Sequence, residues 1–302
     1  MLGYLYLTAA SLTVGSTVVA GKLIAAGLPP FTATALRLAL ALPVFLLLMR
    51  VKGERLPRPD KHDAMLLVLQ AGAGSVGYTV LLMTGLQHTS AANASVVLGT
   101  LPVVSALMAV FMLGERPKPA LIAALVLAAA GVLIATTRSG DTGGWQGNLL
   151  VLGAVACEGL FVLLNKKLRT PLGALPLSTI MCGVGLLLAI GPALGEAHPQ
   201  AGTPALAAVA YYALVPTVGG YVLWYAGSAR VSGAEASLFT AVTPASAMIF
   251  AWWLLDEAIG PRQLAGIACV LAAVLSLYFT SGSGARGYAP VRQSSEPPAG
   301  PL

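Results

Sequence analysis

Leu, Ala and Val fill the chain in long unbroken runs, and the polar residues gather in short clusters between them. Each run is about 20 residues long, the length a helix needs to cross a hydrocarbon core of ~30 Å. Ten such runs can be drawn, over residues 3 to 26, 31 to 50, 63 to 86, 91 to 113, 119 to 137, 147 to 168, 174 to 194, 204 to 228, 233 to 255 and 261 to 280. Membrane strands would instead appear as alternating segments of about 10 residues separated by turns. The pattern therefore predicts an all-α membrane protein with ten transmembrane helices.

Composition strengthens that reading. Of 302 residues, 57% are hydrophobic and 9% charged, and the mean hydropathy is +0.83, values outside the range of soluble domains. The first run has no Lys or Arg before it and is too long for the apolar core of a secretory signal, so it reads as a retained helix. Cys157, Cys182 and Cys269 all fall inside runs, which leaves no disulfide framework and no metal-ligand spacing.

The net charge of +6 does not call for nucleic acid, because its placement has another cause. Thirteen of the seventeen basic residues sit in the connections 2–3, 4–5, 6–7 and 8–9 and in the C-terminal tail, among them Arg50, Arg58, Arg116, Lys166, Lys167 and Arg230. The rule that cytoplasmic loops carry the Lys and Arg then puts both termini in the cytoplasm of a multi-pass plasma-membrane protein. Residues 281–302, "SGSGARGYAPVRQSSEPPAGPL", are rich in Gly, Ser and Pro and read as a disordered cytoplasmic tail.

A shift of 142 residues aligns "SAANASVVLGTLPVVSALMAVFMLGERPKP" from Ser90 with "SGAEASLFTAVTPASAMIFAWWLLDEAIGP" from Ser232, with nine of thirty positions identical. Ser90/Ser232, Pro102/Pro244, Glu115/Glu257 and Pro119/Pro261 are among them, and Gly77/Gly219 and Gly85/Gly227 extend the register upstream. Shared Pro, Glu and Ser at one offset indicate a duplication. The halves, 1–137 and 138–280, hold five runs each, and because five is odd the second must cross the membrane in the opposite sense. Inverted five-helix repeats are an architecture of alternating-access transporters, whose site lies near the midplane between the halves.

Further features are "GSTVVAGK" from Gly15 to Lys22, "PPFTATALR" ending at Arg37, the Ser/Ala-rich starts and mid-run prolines of spans 4 and 9, and "LGE" at Leu113–Glu115 echoed as "LDE" at Leu255–Glu257. In these features, residues 1 to about 280 resemble the drug/metabolite transporter superfamily, and within it the EamA-like ten-span permeases. The resemblance implies a central cavity lined by spans 1, 3, 4, 6, 8 and 9, and export of amino acids or other small metabolites.

Glu158 stands deep in span 6, inside "CEGLFVLLNKK". An ionised acid there costs about 2.5–3.5 kcal/mol to insert, so it should face a cavity. It would hold a substrate ammonium group as an anion or carry a proton as access alternates; the competing reading is a neutral or Lys-paired glutamate that fixes helix packing. Asn93 and Glu235 are equivalent in the two halves and suggest a polar pair on the transport path, although Ser232-x-x-Glu235 also has the form of a capping box. Tyr78 and Tyr221 would provide aromatic walls, with Ser16, Ser95, Thr100 and Ser237 as hydrogen-bonding groups. Trp224 and Tyr225 are further candidates for those walls, although near a span end they read more readily as interfacial anchors, and Lys22 and Arg37 read as cations that snorkel to headgroups. Pro102 and Pro244 would kink their helices and free the carbonyls of Leu98 and Thr240, making them candidate hinges. Gly72, Gly74, Gly77, Gly85, Gly183 and Gly185 allow close helix approach and leave room for a homodimer.

An enzyme would need a nucleophile and a base within reach, yet His62, His88 and His198 fall in connections or at span ends. A channel would show rings of charge or a repeated filter signature. A transporter in the lipid bilayer remains, without cofactor or metal, with an intramembrane enzyme or a channel as the alternative. Phosphorylated cargo needs convergent Lys and Arg. The deep ionisable group is acidic, so amino acids, amines or drug-like compounds are the expected substrates.

Overall fold

The computed structural model describes residues 1–113, 119–136, 144–170, 172–196, 202–231, 239 and 242–281. They form ten helical rods: α1 (Leu2–Ala25), α2 (Pro30–Lys52), α3 (Lys61–His88), α4 (Ala91–Leu98 followed by Leu101–Leu113), α5 (Pro119–Thr136), α6 (Gly144–Lys166), α7 (Ala174–Leu194), α8 (Thr203–Ser228), α9 (Val242–Leu255) and α10 (Pro261–Ser281). No strand occurs among the described residues. Seven rods are long and apolar enough to cross a membrane, and an eighth qualifies if the bent α4 is one span; α9 and the apolar part of α10 are shorter. The chain is a multi-pass helical membrane protein. Glu115, Thr240, the Ser232–Ser237 segment with Glu235, and the tail after 281 lie outside the described residues.

Apolar side chains cover the outside as well as the inside, as a lipid solvent requires. Leu47, Phe111, Leu187, Trp252 and Trp253 are all exposed, and in lipid they lose nothing by it. Polar punctuation sets the helix ends. Asp60 accepts the Asp63 amide at 2.7 Å at the start of α3, and Ser90 accepts the Asn93 amide at 3.1 Å at the start of α4, each a side-chain N-cap. Gly53, at φ +67°, ends α2 in the left-handed conformation that glycine adopts freely.

Two rods change pitch midway. Residues Ala71–Gly77 of α3 and Ala213–Gly219 of α8 form π-helical turns, and the two segments are 142 residues apart. π turns leave backbone groups out of the regular ladder and concentrate at functional sites. In α4 the helix breaks at Gly99 and Thr100, just before Pro102, and its parts meet at 42°. Gly99 is there because a Cβ would stand 3.2 Å from the Cβ of Pro244 and 2.9 Å from Val270. The broken part of α4 thus touches α9 at the proline equivalent to Pro102.

Connections alternate between two ends of the bundle. One, here the terminal end, gathers Met1, Gly53–Asp60, residues 167–170 and 172–173, and Ala229–Val231. The far end gathers Ala26–Pro29, Thr89–Ser90, Gly195–Glu196 and Asp256–Gly260.

Candidate functional site

Glu158 lies eight residues from the end of α6, about 12 Å inside the helix at 1.5 Å per residue. Its side chain keeps part of its surface accessible, and that surface opens on two adjoining cavities. A smaller one, about 190 Å³, is walled by Val14, Thr17, Tyr78, Tyr212, Pro244 and Ala247 among others. A larger one, about 500 Å³, continues past Pro102 and Ser105 to Tyr221, Trp224 and Tyr225. Val14, Leu98, Leu101, Glu158, Thr243 and Pro244 belong to both. Among the described residues, no hydrogen bond or ion pair reaches the Glu158 carboxylate. A carboxylate without a protein partner, set in an apolar wall, is available to a cargo or a proton.

The walls come from α1, α3, α4, α6, α8 and α9, with Leu271 and Val274 of α10 added. Ser105, Val162, Trp224 and Tyr225 lie on the terminal-end side of Glu158, so the larger cavity runs toward that end. Toward the far end the path is filled by Val18, Leu86, Val97, Val151, Ala247 and Ala251, each buried in one apolar cluster. Beyond this plug a polar basin of about 1100 Å³ is lined by Lys22, His88, Asn93, Glu257 and Gln263 among others.

The expected site residues divide accordingly. Tyr78 and Glu158 meet in the smaller cavity, and Tyr221 lines the larger, with its ring 4.6 Å from Tyr225 and 5.4 Å from Phe45. Asn93 stands instead in the far-end basin, where its Oδ1 accepts from Gln263 Nε2 at 3.3 Å. Ser16, Ser95 and Thr100 are absent from the cavity walls. Their hydroxyls donate to Thr13, Ala91 and Val97 carbonyls of their own helices at 2.6–2.7 Å, and Ser16 also pairs with the Tyr211 hydroxyl at 2.7 Å. Glu235 and Ser237 lie outside the described residues. Pro102 and Pro244 both border the larger cavity.

Two expectations are overturned. Arg37 does not snorkel: it is 7% exposed and turned into the protein. Its guanidinium donates to the Ser75 carbonyl at 3.0 Å and the Thr79 hydroxyl at 2.9 Å, and reaches the Thr217 hydroxyl at 3.4 Å. Ser75 and Thr217 are equivalent positions of the two π turns, so one cation bridges both. It also sits 4.9 Å from the Tyr212 ring centre, a cation–π distance, with Tyr212 presenting its other surroundings to the cavity. Lys22 likewise stays with the protein, its Nζ donating to the Leu86 and Thr89 carbonyls at 2.6 Å each. Trp224 and Tyr225 line the larger cavity, and Tyr225, near the end of α8, also keeps 43% of its surface exposed.

Arg37 and Tyr212 are thus the positions at the site whose placement sequence reasoning missed. The signal available for Arg37 was its place seven residues inside a run, too deep for easy escape to headgroups. Elsewhere, Asp60, His62 and Asp63 bring three ligand-capable atoms within 4.8 Å of one another. Those oxygens already serve as caps: Asp63 accepts the Arg169 and Thr170 amides at 3.1 Å each, and Asp60 the Asp63 amide and the Arg169 guanidinium.

A helical membrane protein with a carboxylate in a cavity between its two halves has the form of a solute permease. The EamA-like transporter family matches the chain twice, over residues 1–137 and 145–279; the chain belongs to that family. An uncharacterized transporter of Bacillus subtilis, YetK, is 32% identical over 280 residues, covering 90% of this chain and 85% of its own. A probable terminal-alkyne amino-acid exporter of Streptantibioticus cattleyicolor is 30% identical over 220 residues, covering 72% of this chain and 74% of its own. A solved crystal structure superposes with a TM-score of 0.62 at 18% identity, over 88% of this chain and 97% of that one. At that identity the likeness shows the fold alone.

Proposed function

We propose that this protein moves small zwitterionic or cationic metabolites, such as amino acids or amines, across the plasma membrane by alternating access around the cavity at Glu158. All ten rods span the bilayer as two inverted five-helix repeats, the terminal end faces the cytoplasm, and the physiological direction is export. The observation that carries the reading is the Glu158 carboxylate, unpaired among the described residues and opening on both cavities. Tyr78, Tyr212 and Tyr221 give the cargo aromatic contacts. The inverted repeat is supported by the two π turns at one offset and by the contact of Gly99 with Pro244. Cavity volume toward the terminal end and an apolar plug toward the far end support a state open at the terminal end, which on this reading is the cytoplasmic one. Export is favoured by the likeness to the probable terminal-alkyne amino-acid exporter of Streptantibioticus cattleyicolor.

The test is uptake and counterflow in proteoliposomes against a panel of amino acids and amines, comparing wild type with Glu158→Gln at several pH values. Cargo flux should fall at least tenfold in the variant, and any pH response should vanish with it. Unchanged flux and an unchanged pH response would remove Glu158 from the mechanism.

A further inference from the structure

Four glutamates stand in the connections as two pairs, each separated by 142 residues: Glu54 with Glu196, and Glu115 with Glu257. Glu115 lies outside the described residues; the other three make a pattern. Glu196, just past α7, reaches the start of α2, where Oε1 accepts the Phe31 amide at 3.0 Å and Oε2 accepts the Thr32 amide and hydroxyl at 2.7 and 2.8 Å. Glu257, just past α9, does the same at the start of α4, accepting the Ala91 and Ala92 amides at 2.9 Å each. Each carboxylate closes two amides that a helix start leaves open and sits at the positive end of its dipole. Both clasps are at the far end, and each ties helices from opposite halves of the chain.

Glu54 occupies the place of Glu196 in the first half, at the terminal end. The repeat register makes Gly173 and Ala174, at the start of α7, the counterparts of Phe31 and Thr32. Glu54 Oε2 is already close by, 3.9 Å from where a Cβ on Gly173 would stand. Yet among the described residues no hydrogen bond reaches the Glu54 carboxylate, and α7 starts without a side-chain cap. The same pairing is made where the cavity is plugged and unmade where it opens.

We propose that Glu196 and Glu257 are latches holding the far end shut, and that Glu54 is the corresponding latch of the terminal end, engaging the first amides of α7 when that end closes. The inference rests on the inverted-repeat, alternating-access reading. It adds the contacts that exchange between states: carboxylate–amide bonds lost at one end are regained at the other, which keeps the two conformations close in free energy. Lys22, on the Leu86 and Thr89 carbonyls, and the Asn93–Gln263 bond reinforce the same far-end closure.

The experiment uses the full chain with its three cysteines replaced by alanine and Val18→Cys as reporter, since Val18 sits in the plug and borders the smaller cavity. A membrane-impermeant maleimide is added to one or the other side of oriented vesicles. Glu257→Gln and Glu196→Gln should each raise labelling from the far side about 5- to 10-fold, as expected for losing a charged helix-end contact, and lower it from the terminal side. Glu54→Gln should shift both rates the other way. Loss of ordinary capping would destabilise the fold without opposite signs. Two-sided labelling that none of the variants changes, or that all three change in one direction, overturns the latch while alternating access stands. Labelling from one side alone in every variant overturns that underlying reading and the latch with it. If Glu257→Gln fails to insert, Glu196→Gln and Glu54→Gln carry the same pair of signs.

Discussion

Replacing Arg37 by Met should leave the fold standing and slow the transport. The guanidinium makes two good hydrogen bonds, to the Ser75 carbonyl and the Thr79 hydroxyl, plus a long one to Thr217 and the contact with Tyr212. Leaving a buried acceptor orphaned would cost about 1–3 kcal/mol, but no acceptor is orphaned. Thr79 still donates to the Ser75 carbonyl at 3.1 Å, and Thr217 to the Tyr212 carbonyl at 2.8 Å. What disappears is about 0.6 kcal/mol for each of two intramembrane hydrogen bonds and about 2 kcal/mol for a desolvated cation–π contact. On the other side stands the insertion cost of a cation inside a span, up to about 3 kcal/mol. With Nε also lacking an acceptor, the terms cancel to within about 1 kcal/mol. Thermal unfolding of the purified protein should therefore move by only a few degrees. Flux in proteoliposomes should fall about tenfold, the equivalent of ~1.4 kcal/mol of lost positioning, because Arg37 holds both π turns and backs the Tyr212 ring in the cavity wall. A variant more than about 3 kcal/mol less stable than wild type, or one that is equally stable and transports normally, would refute the reasoning.

Other perturbations separate packing from transport. Gly85→Ala puts a Cβ 2.9 Å from the Gly147 carbonyl and 2.8 Å from Val151; backbone cannot yield cheaply, and a loss of about 1–3 kcal/mol should appear as a lower melting temperature. Asp63→Ala frees the Arg169 and Thr170 amides and should cost about 2–3 kcal/mol, measurably more than the ~1 kcal/mol expected when Asp60→Ala removes the α3 cap. Pro102→Ala restores a donor for the Leu98 carbonyl at the 42° bend. It should fold normally and slow flux, and unaltered flux would exclude Pro102 as a hinge.

The rods were legible because run length is a direct consequence of bilayer thickness. The π turns were not, since a shift from the α ladder to wider turns depends on what the freed groups meet; here Ser75 and Thr217 meet Arg37. For the same reason Arg37 read as a lipid-facing cation. Its neighbours in sequence are apolar, and the partners that hold it come from α3 and α8. Ser16, Ser95 and Thr100 illustrate the opposite error. A hydroxyl in a membrane helix already has an acceptor three or four residues back in its own chain, and all three use it. Glu158 was readable because a carboxylate has no such local outlet.

Set against the duplicated scaffold, the polar chemistry is unduplicated, and this bears on how the machine works. At the 142-residue offset Glu158 corresponds to Ser16, Arg37 to Thr179, Tyr212 to Gln70 and Lys22 to Leu164. By contrast, the π turns, the prolines Pro102 and Pro244 and the connection glutamates all have counterparts. Under the inverted-repeat reading, features that must serve both ends in turn are kept in both halves, because each closed state reuses the other's contacts with the halves exchanged. A cargo, however, is a single asymmetric molecule and needs one site. Its charge and its aromatic or aliphatic body can be matched only by residues that differ between the halves. Selection for transport would then preserve Pro102/Pro244 and Glu54/Glu196 as pairs while leaving Glu158, Arg37 and Tyr212 each without a twin. Installing Ser16→Glu should accordingly add no second cargo site: its hydroxyl points to Thr13 and Tyr211 instead of the cavity. Flux that doubled, or a Glu158→Gln variant rescued by Ser16→Glu, would show that the two positions are interchangeable and that the chemistry follows the symmetry of the backbone after all.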